Sequence, residues 1–227
     1  MLKPSQYKHI IWDWNGTLVD DAWLCVDIMD GMLKARSMQQ LSMDRYQRLF
    51  DFPVIDYYRR LGFDFEKEPF TVSGSEFIAN YNARFHEPEL HLGVVQLLDY
   101  VESTGLTQSI LSAGKQEYVN DWITHHHLKK YFIKILGIDN HYASGKTDIG
   151  KNWVLEMEYS PEEVLMVGDT IHDLEVANAM GIKCVLIAQG HTNYSRLQKT
   201  GAPVFNDLFE FKKYLQALLP VNRSVST

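Results

Sequence analysis

The order of apolar segments along the chain constrains its fold more than any other feature. Short apolar runs alternate with longer segments whose apolar residues recur at helical spacing. The runs lack strict alternation of apolar and polar residues, which is typical of parallel strands buried on both faces. This order predicts an α/β fold with a Rossmann-like, doubly wound parallel sheet. The predicted strands cover residues 7–12, 106–111, 133–137, 163–167 and 183–188.

The segments between the later strands are predicted to be helices. Their apolar residues recur every three or four positions, as on the buried face of a helix. Gly181 is predicted to end the last of them, because glycine is common just past a helix end. These helices are predicted at 94–103, 116–126, 149–157 and 174–180.

A long region without a strand pattern lies between the first two predicted strands. About 65 residues there have helical spacing only, and a segment of this length is too long for a loop. We therefore predict an α/β core formed by residues 1–20 and 89–227, with an all-helical subdomain at 21–88 inserted into it. Within this helical insert, helices are predicted near Ala22 and at 42–50, 54–61 and 75–86.

Composition excludes several classes of function. The chain has 227 residues, a formal net charge of −7 and no cluster of Lys or Arg, which argues against nucleic acid as the main partner. No apolar run exceeds five residues, whereas a transmembrane helix needs ~20, and the first nine residues lack the apolar stretch of a secretory signal. The two cysteines form no disulfide framework. We expect a cytoplasmic protein without a membrane partner, and either a monomer or a dimer fits the sequence.

Polar residues follow four of the predicted strands at the edge of the sheet where ligands bind. In an open parallel sheet, this edge is formed by the carboxyl ends of the strands. The first strand precedes Asp13, the second Ser112, the third a loop and Lys146, and the fourth Asp169 and Asp173. Carboxylates suit Mg²⁺, while an ammonium, a hydroxyl and backbone N–H groups bind phosphate. Together these groups predict a site for phosphoryl transfer.

The four segments, in their order along the chain, resemble the motifs of a known superfamily. The stretches IIWDWNGTLVD, LSAG and VGDTIHD, with Lys146 between the last two, are similar to the motifs of haloacid dehalogenases, in the branch of the phosphoglycolate phosphatases. The helical insert falls where that branch has a cap domain. The resemblance extends from His9 to about Leu218. It implies an Mg²⁺-dependent phosphatase that acts on a small phosphorylated metabolite.

The resemblance also implies which residues act on the phosphate. Asp13 would attack phosphorus and form an aspartyl-phosphate. The Ser112 hydroxyl and the backbone around Ala113 and Gly114 would bind phosphate oxygens. Lys146 would neutralise phosphate charge and fix the nucleophile.

The metal site implied by the resemblance consists of oxygen ligands. Asp13, the backbone carbonyl of Asn15 and Asp169 would bind Mg²⁺, and Asp173 would bind it directly or through water. Thr17 would support the loop that carries the nucleophile. The metal is needed because a carboxylate and a phosphate, both anions, must approach each other.

Asn15 departs from the pattern of the family's phosphatases. They usually have a second aspartate two residues after the nucleophile, which protonates the leaving oxygen and then activates water. An amide forms hydrogen bonds but transfers no proton at neutral pH, and such acid–base help is worth ~10²–10⁴ in rate. Its loss matters most for poor leaving groups such as alkoxides and less for acyl or aryl phosphates.

Several interpretations of Asn15 stay open. The chain could be a phosphatase for activated esters, or one in which His172 or His191 supplies the acid–base group. It could also be a weak phosphatase whose phospho-enzyme persists, or a phospholigand-binding or regulatory protein with little turnover. Other chemistry of the superfamily, such as phosphonate C–P hydrolysis, uses a cap lysine, and the insert offers Lys34 and Lys67.

Two further positions allow alternatives. Lys151 competes with Lys146 as the phosphate lysine, and we favour Lys146 because Lys151 would lie about a turn into the following helix. Asp20 and Asp21 follow the first motif, where they would cap the first helix of the insert or lie near the entrance of the site.

Overall fold

A computed structural model gives the architecture of the chain and describes residues 7–138 and 145–219. Its strands are β1 His9–Trp12, β2 Thr107–Lys115, β3 Lys134–Ile138, β4 Val164–Gly168, β5 Lys183–Ile187 and β6 Val204–Phe205. Its helices are α1 Ala22–Ala35, α2 Met43–Leu49, α3 Val54–Leu61, α4 Phe70–Arg84, α5 Val94–Ser103, α6 Gln116–His125, α7 Lys146–Glu156, α8 Ile171–Met180, α9 Tyr194–Gln198 and α10 Leu208–Leu218.

The six strands form one parallel sheet in the order β3-β2-β1-β4-β5-β6. Neighbouring residues of β1 point to opposite faces, so Ile10 and Trp12 join one apolar core while Ile11 joins another. Helices α5, α6 and α10 contribute to the first core, and α7 and α8 to the second. Because both faces are covered, most residues at the centres of the strands are apolar, and the predicted doubly wound, Rossmann-like fold is confirmed.

The predicted elements differ from the structure mainly at their ends. β2 continues to Lys115, four residues beyond the predicted end at Leu111, because a register shift lets Lys115 pair with β3. α7 begins at Lys146, three residues before the predicted start, so this lysine lies in the first turn of a helix and not in a loop. Gly181 adopts a left-handed conformation at the end of α8, as predicted. β6, α9 and α10 were not predicted.

The helical insert contains α1 to α4 and no strand. Helix α4 begins at Phe70, directly after Pro69 and five residues before its predicted start. The four helices share an apolar core that includes Leu33, Tyr46 and Tyr58. Because the four helices have an apolar core of their own, we still propose that residues 1–20 and 89–227 form the α/β core and residues 21–88 the insert. In the described part of the chain, no helix is long and apolar enough to span a bilayer.

Candidate active site

The carboxyl edge of the sheet brings together the acidic residues of the first and last motifs. Asp13 follows β1, and Asp169 follows β4, the neighbouring strand. Asp173 lies in the first turn of α8, where it forms a capping box with Thr170. Carboxylate oxygens of the three aspartates lie within 4.8 Å of one another, and all three side chains are buried.

Lys146 is the cation of this cluster. Its Nζ donates to Asp13 Oδ1 at 2.5 Å and to Asp173 Oδ1 at 2.6 Å. Only 2% of Lys146 is exposed, whereas Lys151 on the same helix is exposed. Lys146 therefore lies in the site, as we favoured, and its start-of-helix position directs its side chain to Asp13.

Burial opposes the negative charge of two carboxyl groups in the cluster. Burial raises the pKa of Asp13, and the charge of Asp173 raises it further. Burial likewise raises the pKa of Asp169. Burial alone would lower the pKa of Lys146, but the carboxylates of Asp13 and Asp173 raise it. A cation bound between these carboxyl groups would favour their ionised forms.

Hydrogen bonds fix the orientation of each carboxylate. The Thr17 hydroxyl lies 3.1 Å from both Asp13 Oδ2 and Asp169 Oδ1, so it links the two motifs. Asp173 Oδ2 accepts from the Thr170 hydroxyl at 2.7 Å and from the Thr170 backbone N–H at 3.0 Å. Asp173 therefore uses one oxygen for the start of α8 and the other for Lys146.

The predicted phosphate-binding segment lies at the end of β2. Ser112 is fully buried, while Ala113 and Gly114 are half-buried. The Ser112 Oγ accepts from the Gly114 backbone N–H at 2.9 Å and lies 3.4 Å from Asn15 Oδ1. The segment therefore lies beside the loop that follows β1, as the order of the strands predicted.

The Asn15 side chain contacts a carboxylate that the sequence did not assign to the site. Its Nδ2 donates to Asp21 Oδ2 at 2.8 Å and to the Tyr81 hydroxyl at 3.0 Å. Asp21 occupies the position that precedes α1, but its side chain makes no capping hydrogen bond with that helix. It is 1% exposed, so it neither caps α1 nor lies at an entrance. It points inward because Asn15, Tyr81 and His191 satisfy its oxygens.

His191 lies next to this group. Its backbone N–H donates to Asp169 Oδ2 at 2.5 Å, and its Nε2 lies 3.3 Å from Asp21 Oδ1. Its Nδ1 lies 2.8 Å from the Tyr46 hydroxyl of α2. Burial alone would lower the pKa of His191, but Asp21 raises it to about 9. His191 is thus the partner of Asp21. Tyr46 and Tyr81 also contribute to the site, and no sequence pattern predicted them.

His172, the other histidine considered as an acid–base group, packs against the insert. Its ring lies 4.5 Å from that of Phe52, measured between centroids. Its Nε2 is buried without a hydrogen-bond partner among the described residues. Lys34 and Lys67, the two insert lysines, form ion pairs on the surface with Asp30 and Asp64. Neither lysine lies among the contacts of Asp13 or Asp169 in the described structure.

Contacts from the core hold the insert over this edge of the sheet. Gln47 Nε2 donates to the backbone carbonyl of Gly190 at 2.7 Å. Arg196 of α9 donates to the carbonyls of Gln47 and Phe50, at 3.1 and 2.6 Å, and pairs with Asp51 at 2.9 Å. These contacts hold the insert against the edge of the sheet that carries the carboxylate cluster.

Comparison with known proteins identifies the family of the chain. The model of the haloacid dehalogenase-like hydrolases matches residues 10–187. The chain belongs to this family, and the resemblance inferred from the motifs is confirmed. It is therefore a hydrolase by family, built on the α/β core described above.

Individual relatives are distant. The tyrosine-protein kinase PtkA of Mycobacterium tuberculosis is 24% identical over 92% of this chain and 72% of that protein. Phosphoglycolate phosphatase 1 of Pseudomonas aeruginosa is 23% identical over 86% of this chain and 74% of its own length. The structure of a haloacid dehalogenase-like hydrolase from Streptococcus pneumoniae superposes with a TM-score of 0.78 at 18% identity, over 93% of this chain and 100% of that one. The superposition shows that the two proteins share a fold.

Proposed function

We propose that the chain is an Mg²⁺-dependent phosphatase that hydrolyses a small phosphorylated metabolite through an aspartyl-phosphate on Asp13. The observation that carries this proposal is the cluster of Asp13, Asp169 and Asp173 around the buried ammonium of Lys146. The phosphoglycolate phosphatases among the relatives agree with the reaction class. The natural substrate belongs to the class of phosphate monoesters.

The donor set fits a hard divalent cation. Three buried carboxylates with oxygens within 4.8 Å of one another are the ligands that Mg²⁺ prefers. Asp13 and Asp169 would hold it, with the backbone carbonyl of Asn15 and, directly or through water, Asp173. When bound, Mg²⁺ would offset the repulsion between the Asp13 carboxylate and the phosphate.

The residues of the chain divide the reaction between them. Asp13 attacks phosphorus, so that a P–O bond forms on its carboxylate while the bond to the leaving oxygen breaks. Lys146, together with Ser112 and the backbone N–H groups of Ala113 and Gly114, binds the phosphoryl oxygens. Water then attacks the aspartyl-phosphate, releases phosphate and restores Asp13.

The insert would act as a cap over this site. It lies against the core through Arg196 and Gln47, and its Tyr46 and Tyr81 extend into the site. A closed cap excludes bulk water and large substrates such as phosphoproteins. Small phosphorylated metabolites therefore suit the site.

Transfer of the phosphoryl group to an acceptor other than water is the second candidate function. Asn15 is the observation that favours it, because without a base at position 15 water attacks the aspartyl-phosphate slowly, which leaves time for another acceptor to react. The kinase PtkA among the relatives points in the same direction. Release of phosphate in one assay and labelling of an added tyrosine acceptor in another separate the two functions.

Phosphate release from aryl, acyl and alkyl phosphates, measured with and without Mg²⁺, tests the proposal. We expect turnover of aryl or acyl phosphates that requires Mg²⁺ and that Asp13→Asn abolishes. Binding of Mg²⁺ and of a phosphate analogue without turnover of any ester would instead identify a phospholigand-binding protein. Turnover that survives Asp13→Asn would contradict the assigned nucleophile.

A further inference from the structure

We propose that Asp21 is a positioning residue that fixes the Asn15 amide with its oxygen toward the reaction space and its NH₂ group away from it. This inference rests on the proposed phosphatase function and refines its substrate class. It adds to the site the carboxylate of Asp21, which is hydrogen-bonded to the side chain of Asn15.

The hydrogen bonds of Asn15 determine which end of its amide faces the site. A carboxylate without a proton only accepts hydrogen bonds, so the amide must turn its NH₂ group to Asp21. Nδ2 accordingly lies 2.8 Å from Asp21 Oδ2 and 3.0 Å from the Tyr81 hydroxyl. The amide oxygen is then left beside Ser112, 3.4 Å from its Oγ. Position 15 therefore presents an acceptor to the phosphate-binding segment.

Asp21 is itself held too firmly to turn away. Its Oδ1 accepts from the Gly16 backbone N–H at 2.8 Å and lies 3.3 Å from His191 Nε2. Its Oδ2 accepts from the Tyr81 hydroxyl at 2.7 Å as well as from Asn15. Rotation of the Asn15 amide would leave a buried carboxylate facing a carbonyl oxygen, which is strongly unfavourable.

This orientation limits the chemistry at position 15. An acceptor can orient water or a substrate hydroxyl, but it donates no proton to a leaving oxygen. Phosphates whose leaving group departs without protonation, such as aryl and enol phosphate esters and acyl phosphates, are therefore the substrate class that the site favours. Alkyl phosphates, which need an acid, are disfavoured.

The same geometry predicts that Asn15 and Asp21 can be exchanged only together. An aspartate at position 15 alone would place two buried carboxylates in hydrogen-bond contact. With asparagine at position 21, Oδ1 could still accept from Gly16 and pair with His191, while Nδ2 would donate to the new carboxylate and to the Tyr81 oxygen. The exchange turns one acceptor atom of residue 21 into a donor and keeps the other as an acceptor, now an uncharged one.

The experiment compares Asn15→Asp, Asp21→Asn and the double variant with the unmodified protein. A second double variant, Asn15→Asp with Asp20→Asn, is the matched control, because it has the same net charge and Asp20 is an exposed neighbour. The readouts are the melting temperature and kcat/KM for an aryl and an alkyl phosphate with Mg²⁺. The ratio of the two kcat/KM values reports the leaving-group dependence, which a merely structural role would not move.

We expect Asn15→Asp and the control to melt below the unmodified protein, and the Asn15→Asp/Asp21→Asn variant to recover most of the loss. We expect that variant to increase alkyl phosphate turnover relative to aryl by ~10²-fold or more, the value of an acid at this position. Asn15→Asp alone should gain less than about a tenth of that increase. An equal gain in Asn15→Asp, or in the control with Asp20→Asn, would overturn the proposal.

Exchange of the Asn15 side-chain amide protons with solvent, measured by NMR, tests the orientation without any turnover or double variant. Loss of the negative acceptor in Asp21→Asn should speed this exchange by about tenfold, and unchanged exchange would overturn the proposal. If no variant hydrolyses any ester, the phosphatase function fails. The amide exchange and melting temperatures still decide whether Asp21 positions Asn15.

Discussion

Lys146 is the residue on which the charge balance of the site depends. It pairs with Asp13 and Asp173, and it is almost fully buried. Removing one partner of a buried ion pair leaves the others uncompensated and costs ~3–5 kcal/mol. Its place could be predicted from the sequence because the residue follows a strand end, but its two carboxylate partners depend on the start of α7.

We predict that Lys146→Met destabilises the protein and lowers phosphate release on the order of 10²-fold. Urea unfolding without metal should show a free energy of unfolding reduced by about 3 kcal/mol. Lys151→Met is the matched control, since Lys151 is an exposed lysine of the same helix. Equal effects of the two substitutions would contradict the assignment of Lys146.

The role of a single residue could not be predicted from the sequence where its side-chain partners come from distant segments of the chain. Asp13, Ser112 and Asp169 could be placed from the sequence because each follows the end of a parallel strand. Asp21 could not, because its orientation is set by Tyr81, which is 60 residues away on α4. The approach of α4 to the loop after β1 is a property of the packed insert, and no local sequence pattern encodes it.

At the scale of whole elements, helix α9 joins the core to the insert. Helix α9 has five residues, too few for a helical pattern to be recognised, and it was not predicted. Its Arg196 nevertheless donates to two carbonyls and pairs with one carboxylate of the segment between α2 and α3. A helix of only five residues can thus provide the contacts that join the insert to the core.

We predict that Arg196→Ala favours the open arrangement of the insert. Hydrogen bonds from a charged donor contribute ~1.5–3 kcal/mol, so kcat/KM should fall about tenfold or more. Backbone amides of residues 43–61 should exchange faster with deuterium. Arg60→Ala is the control, because the contacts that Arg60 makes in the described part of the chain, with Leu49 and Asp51, lie within the insert. Unchanged exchange in Arg196→Ala would mean that other contacts hold the insert closed.

The architecture of the whole molecule was the most predictable level. The spacing of apolar residues predicts five of the six described strands, because burial on both faces of the sheet requires apolar segments. The same spacing predicts that only helices lie between the first and second strands. The sixth strand, β6, has two residues at the edge of the sheet, and its pairing with β5 comes from the return of the chain after α9. Edge elements of this size depend on tertiary contacts.

His9 links the stability of the whole molecule to pH. It is fully buried in β1, with Nδ1 2.7 Å from the Thr107 hydroxyl and Nε2 2.7 Å from the Ser109 hydroxyl. Burial lowers its pKa from 6.5 to about 4. Between these values the unfolded chain binds a proton that the folded protein does not. The contribution of His9 is therefore complete above pH 6.5 and is lost as the pH falls toward 4.

We predict that this loss of stability is absent from His9→Gln, because glutamine retains hydrogen-bonding groups but does not titrate. Urea unfolding of both proteins from pH 8 to pH 4 measures the difference. A pKa difference of this size corresponds to about 3 kcal/mol. The free energy of unfolding of the unmodified protein should fall by about that amount relative to the variant, mostly below pH 6.5. Buried carboxylates titrate in both proteins and cancel in the difference. A difference that stays constant across this range would mean that His9 accepts its proton in the folded state as readily as in the unfolded chain.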